Sequence, residues 1–170
     1  MKAPRSLRSR ALQLLAQRDQ SRVELRRKLL AFGREAGQED EATAVDLPTQ
    51  VDAVLDWLEA GRFLSNERFA EARVTARAPR FGNLRIRQEL ARHEVTLSAE
   101  AQQALADSET RRACAVRDRK FNAPPATAAE HARQARFLGA RGFSTDVIRQ
   151  VLRDAARSAQ VGTGNAEESD

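Results

Sequence analysis

Apolar positions along this chain recur at three- and four-residue spacing, the period of a half-buried helix, and no run alternates strictly as a strand would. Ser21-Arg-Val-Glu24 reads as a capping box that opens a stripe at Leu25, Leu29 and Phe32. Ser65 is placed to cap the next such start, with Leu64 and Phe69 at the two positions of a hydrophobic staple. Pro79 and Gly82 close that helix, and Ile86 and Leu90 restart the stripe. Thr127-Ala-Ala-Glu130 is a second capping box just past the breaker Pro124-Pro125. Phe143 and Ile148 flank the cap Ser144 as another staple, and Gly142 sits where a helix C′ residue belongs. The pattern predicts nine helices, over residues 6–17, 21–32, 48–60, 65–78, 83–93, 97–106, 108–121, 127–140 and 144–157. With no Tyr and few β-branched residues, the expected fold is all-α.

The helices fall into threes. Gln88-Glu-Leu90 followed by Val95 and a short helix resembles Arg136-Phe-Leu138 followed by Phe143 and a short helix, 48 residues on. A period of that size with three helices each predicts a tandem array of three three-helix repeats. They are expected over residues 1–60, 61–107 and 108–157. An acidic loop is expected as an insertion at about 34–46, and the polar segment 158–170 as a disordered tail. Trp57 shares its helix with Val51, Val54, Leu55 and Leu58 and is expected in the core. Phe32, Phe63, Phe69, Phe137 and Phe143 also fall in apolar stripes, leaving Phe81 as the exposed aromatic.

Charge changes the picture. The chain of 170 residues carries a net charge of +5, with 29 basic and 24 acidic groups, unevenly placed. Residues 1–34 hold 10 bases and 2 acids, residues 35–60 hold 8 acids and no base, and residues 61–95 hold 8 bases and 4 acids. A basic excess points to a nucleic acid or an acidic protein surface as partner. Arg outnumbers Lys so heavily that codon bias competes with this reading. The acidic segment is expected to shield the basic first repeat from DNA. No run of apolar residues is long enough to span a bilayer, and no signal-peptide core follows the basic start. A single cysteine, Cys114, forms no internal disulfide, which points to the cytoplasm. Its neighbours Arg111, Arg112 and Arg117 offer a route to a lowered thiol pKa, though a half-buried helix residue is the simpler reading.

Catalytic chemistry is undersupplied. His93 and His131 have no neighbours at metal-ligand spacing, and no glycine-rich phosphate loop is present, so no enzyme activity, metal or cofactor is expected. Residues 86–106 can imitate a helix-turn-helix, but its second helix would present Ser98, Glu100, Gln102 and Gln103 to DNA, with no cation among them. The bases lie on the preceding helices instead. Arg73, Arg77, Arg80, Arg85 and Arg87, with Arg111 and Arg112 farther along, are the candidate partner-binding residues. Guanidinium groups meet phosphates or carboxylates equally well, so charge alone leaves DNA and protein both open.

Leu64-Ser-Asn-Glu-Arg-Phe-Ala70, then Arg73, Arg77, Gly82, Ile86 and Glu89-Leu90, resembles the signature of the RecX family of recombination regulators. Arg136 through Ser144 with Val147-Ile148 and Val151-Leu152 is similar to its C-terminal repeat, and Ala11–Leu15 with Ser21–Leu30 to its first. Asn66 stands where the family usually has Asp, and Glu94 where it usually has Gly. The resemblance implies an elongated, curved helical stack, a shape that fits a ligand lying along a filament groove. It also implies a cytoplasmic protein that binds the RecA filament and inhibits its growth, ATP hydrolysis, strand exchange and co-protease activity. The chain is expected to be a monomer, and its basic surface adds single- or double-stranded DNA as a second expected partner. The alternative from charge alone is a general helical nucleic-acid-binding protein with no recombinase partner.

Overall fold

The computed structural model describes the backbone of residues 6–36 and 41–164, and the side chains of all of these but 41–45 and 159–164. Among the described residues there are nine α-helices and no strand. They are α1 (Leu7–Gln17), α2 (Arg22–Glu35), α3 (Glu41–Ala60), α4 (Asn66–Arg77), α5 (Asn83–Ala91), α6 (Ala99–Asp107), α7 (Glu109–Asp118), α8 (Ala128–Ala140) and α9 (Thr145–Gly164). The expected caps form. Ser21 Oγ accepts from the Glu24 N–H, Ser65 Oγ from Arg68 N–H, and Ser144 Oγ from Val147 N–H. Thr127 and Glu130 close a full capping box. At Ser21 the box is half made, because the Glu24 carboxylate turns instead to Arg18 and Lys28.

Two stretches expected to lie outside helices are helical. The acidic loop placed at 34–46 is mostly helix: α2 runs to Glu35 and α3 begins at Glu41, with only 37–40 outside the described residues. The hydrophobic pattern starts α3 only at Pro48. A proline inside a helix forfeits one N–H bond, and the strong helix formers ahead of it carry the helix across. Gly33 does not stop α2 either. It is a packing glycine, since a Cβ there would come within 2.5 Å of Leu47 Cδ1. The tail expected from 158 continues α9 to Gly164, because its Ala- and Gln-containing start holds no breaker; residues 165–170 lie outside the described residues.

The chain packs as two compact units, residues 1–72 with 90–96 and residues 73–89 with 97–170. The first is built on Leu25 and Leu29 of α2 against Leu47, Val51, Leu55 and Leu58 of α3, with Ala11 and Leu14 of α1 completing the core. Each fully buried leucine contributes roughly 1.5–3 kcal/mol. The second is built on Ala113 and Val116 of α7, Leu138 of α8, and Phe143, Ile148, Val151 and Leu152 of α9 and its cap.

Trp57 corrects an expectation. It is 39% exposed, stacked on Phe63 at 5.7 Å with the Arg8 guanidinium 5.0 Å from its ring. At about 100° per residue, it lies roughly 100° from the centre of the Val51–Val54–Leu55–Leu58 stripe. Phe63 is likewise half exposed, and Phe32 and Phe137 are only partly buried, whereas Phe81, expected in the open, is partly buried.

Three helix ends close the same way. Leu58, Leu90 and Leu138 each accept, at the carbonyl, the N–H of the apolar residue five positions on: Phe63, Val95 and Phe143. The intervening residues Arg62, Glu94 and Gly142 adopt φ of 58°, 55° and 80°. Glu94 and Arg62 thus hold, without glycine, the left-handed backbone that Gly142 holds at the third end.

Candidate partner-binding surface

All seven arginines predicted to meet a partner fall in the second unit. Their environments separate them into three kinds. Arg73 and Arg77, one helical turn apart on α4, both reach Glu89 of α5, at 3.2 and 3.0 Å. Arg77 also lies 5.8 Å from the Phe81 ring. Arg85 spans from the Phe81 ring, 4.5 Å away, to the Ala140 carbonyl. Arg80, Arg87 and Arg111 are exposed, and their side chains make no hydrogen bond or ion pair among the described residues.

Arg112 departs from the prediction. Its guanidinium donates to the carbonyls of Ala78, Phe81 and Leu105 and to Asn83 Oδ1, and its Nε to Ser108 Oγ. Asn83, itself buried, donates its backbone N–H to Glu109 Oε1 and its side-chain amide N–H to the Leu105 carbonyl. This network fastens the α4–α5 turn to the α6–α7 junction, so Arg112 is consumed by the fold. Burial pushes its guanidinium below the ordinary arginine value, opposed by Glu109 and reinforced by Arg111. No local pattern marks this role, because two of its acceptors are the Ala78 and Phe81 carbonyls, 34 and 31 residues away.

The α4–α5 turn is fixed on its other side by glycines. Gly82 N–H donates to the Arg141 carbonyl and Leu84 N–H to Gly142, and a Cβ on Gly82 would lie 2.2 Å from the Gly142 oxygen. This backbone-to-backbone approach is why Arg80-Phe-Gly82 and Arg141-Gly-Phe143 carry glycine. It sets Arg80 and Arg85 on either side of a rigid turn.

The remaining chemistry is structural. The Ser21 hydroxyl meets His93 Nδ1 at 3.0 Å, with Ser21 fully buried and Phe69 against the imidazole at 4.9 Å, a contact that ties the residues after α5 to the start of α2. Among the described residues no group of His, Cys, Asp and Glu is placed to hold a metal, and no helix is long and apolar enough to cross a membrane. The Cys114 thiol is pushed up, by burial first and then by Asp118, which opposes the lowering its arginine neighbours suggested. Glu100, at the start of α6, is held below the usual carboxylate range by a backbone N–H and Ser98; an ionised carboxylate there repels phosphate, against a recognition-helix role for α6.

Among the described residues the protein is all-helical, and its second unit carries Arg80, Arg87 and Arg111 exposed on its surface. A profile of the third three-helix domain of RecX matches residues 107–152. The chain is 46% identical over 154 residues to the Regulatory protein RecX of Ralstonia nicotianae, covering 89% of each, and 47% identical over 150 residues to that of Leptothrix cholodnii, covering 87% and 88%. It is similar in fold to the crystal structure of RecX from Lactobacillus salivarius, with a TM-score of 0.66 at 16% identity, over 88% of this chain and 94% of that one. The chain belongs to the RecX family, and its fold is an all-α array of three-helix repeats.

Proposed function

We propose that this protein is a regulator that binds the RecA–DNA filament and inhibits its recombinase, ATPase and co-protease activities, acting by binding and not by catalysis, in the cytoplasm and as a monomer. Membership in a family of regulatory proteins carries the reading. The repeats are taken over residues 1–60, 61–107 and 108–157. The contact set is taken as Arg80, Arg87 and Arg111, with Arg73, Arg77 and Arg85 supporting it. The turn that carries Arg80 is fastened by the Arg112 network and the Gly82–Gly142 approach, so little loop ordering opposes binding there, although the unpaired side chains must themselves be ordered.

Adding the purified protein to RecA turning over ATP on single-stranded DNA tests the reading. Inhibition that saturates at a fixed ratio of protein to RecA is expected. Unchanged ATP hydrolysis, with the protein bound to bare DNA, favours the general nucleic-acid-binding alternative.

A further inference from the structure

In the second unit an open cleft of about 270 Å³ lies between the α4–α5 turn and the C-terminal ends of α7 and α8. Arg80, Arg119, Lys120 and Arg141 line it together with Phe81 and Phe137, and no carboxylate does. Four like charges converging without an acid repel one another, and an anion seated among them relieves that repulsion. The cations differ in how they are held. Arg141 lies flat on Phe137, 3.8 Å from the ring centre, and Arg119 donates to the Pro79 and Ala115 carbonyls. Arg80 and Lys120 are exposed, and their side chains have no partner among the described residues. Two cations are therefore fixed in place and two are available.

The positive track runs past the cleft at both ends. Arg85 covers Phe81 on one side. On the other, Phe121 meets Phe137 edge-on at 5.1 Å, and Arg133 lies 5.6 Å from the Phe121 ring. A single phosphate or carboxylate would leave most of this track empty, whereas a polyanion follows it. At about 270 Å³ the cleft is far too small to take in a duplex, while the backbone of a flexible single strand can bend into it. We propose that this cleft binds the phosphate backbone of a single-stranded nucleic acid, with Arg80, Arg119, Lys120 and Arg141 as the phosphate ligands. The site rests on the reading above only for the source of the strand, the DNA of the filament.

Fluorescence anisotropy of a fluorescein-labelled 20-mer of dT with the full chain, without RecA, tests it. Arg80→Ala/Lys120→Ala should weaken binding about tenfold at low salt and flatten the salt dependence by about 0.7 in log–log slope for each phosphate left without its cation. Arg136→Ala/Arg153→Ala, which removes the same charge from exposed positions of α8 and α9 that do not line the cleft, should cost much less. Arg80→Gln/Lys120→Gln provides a second cleft variant should the first melt early. Parent-like affinity in a folded cleft variant overturns the site, as does an equal loss in the control pair. So does a loss confined to binding of poly-glutamate, which marks an acidic-protein site, or equal binding of a dT·dA duplex. Strand binding abolished with inhibition of RecA intact supports the cleft and leaves the regulator reading standing. Inhibition abolished with strand binding intact overturns the cleft alone, and absent inhibition in the parent sinks the regulator reading without touching the cleft.

Discussion

Single residues show how far local environment overrides residue type. Arg112 looks in sequence like its neighbour Arg111, yet it satisfies three backbone carbonyls, Asn83 and Ser108 while Arg111 faces solvent. Arg112→Ala is expected to cost about 3 kcal/mol in chemical denaturation, because several buried acceptors lose their donor at once. Arg112→Lys should recover little, since an ammonium cannot reproduce the planar fork. Glu24 offers a pH test. Burial opposes its ionisation, but Arg18 and Lys28 prevail and hold its pKa at about 2, against an ordinary 4.5. A carboxylate depressed in the folded state contributes stability that is present above pH 4.5 and is lost as pH falls toward 2. Thermal melts of the parent should therefore drop through that window more steeply than those of Glu24→Gln, and parallel curves would show that the Arg18–Glu24–Lys28 cluster contributes nothing.

Among the structural elements, the turns are the fixed points. Gly82→Ala forces a methyl into the Gly142 carbonyl, backbone against backbone, where neither side can yield. We expect a loss of at least about 3 kcal/mol, or a displaced α4–α5 turn, whereas Gly139→Ala, whose added carbon would meet only Ile148 Cδ1 at 3.9 Å, should be tolerated. Equal stability of the two variants, read by urea denaturation, would contradict the close approach. The helices themselves are legible in the sequence because caps and stripes are local: Ser65, Thr127 and Ser144 act where their spacing places them. The start of α3 is not, because Pro48 imitates a helix start while the helix passes through it. Trp57 is misread when its hydrophobicity is weighed ahead of its angle on α3. The cleft is out of reach of sequence altogether, since Arg80, Arg119 and Arg141 come from three segments that only folding brings together.

For the whole protein, charge pairing withdraws part of the arginine supply from solvent. The acidic residues Asp52, Asp56 and Glu59, which follow the stretch 34–46 expected to shield the first repeat, lie on α3 as expected and neutralise part of α2 directly. Arg22 meets Asp56 at 2.7 Å and Glu59 at 2.6 Å, and Arg26 meets Asp52 at 2.7 Å. The hydrogen bond from Arg26 holds the Asp52 carboxyl below its ordinary range. These pairs are partly exposed and add little stability, but they occupy Arg22 and Arg26, while Arg27 and Arg34 of the same helix, like Arg80, Arg87 and Arg111 in the second unit, remain exposed and unpaired among the described residues. Changing Asp52 and Asp56 to Asn and Glu59 to Gln should leave the fold intact and tighten low-salt binding to DNA through the freed α2 arginines. Unchanged affinity would show that the pairing does not restrain them.

If the unpaired arginines of the second unit carry regulation of the recombinase, removing them should separate inhibition from folding. The decisive comparison sets the parent against Arg80→Ala/Arg87→Ala/Arg111→Ala in RecA-catalysed ATP hydrolysis on single-stranded DNA, with circular dichroism melts alongside. A parent-like melt is expected, because none of the three side chains is engaged within the fold. Inhibitory potency should fall by about tenfold or more, the order expected when several interface charges go. A triple variant that melts like the parent and inhibits RecA just as strongly would contradict a regulatory role for these arginines.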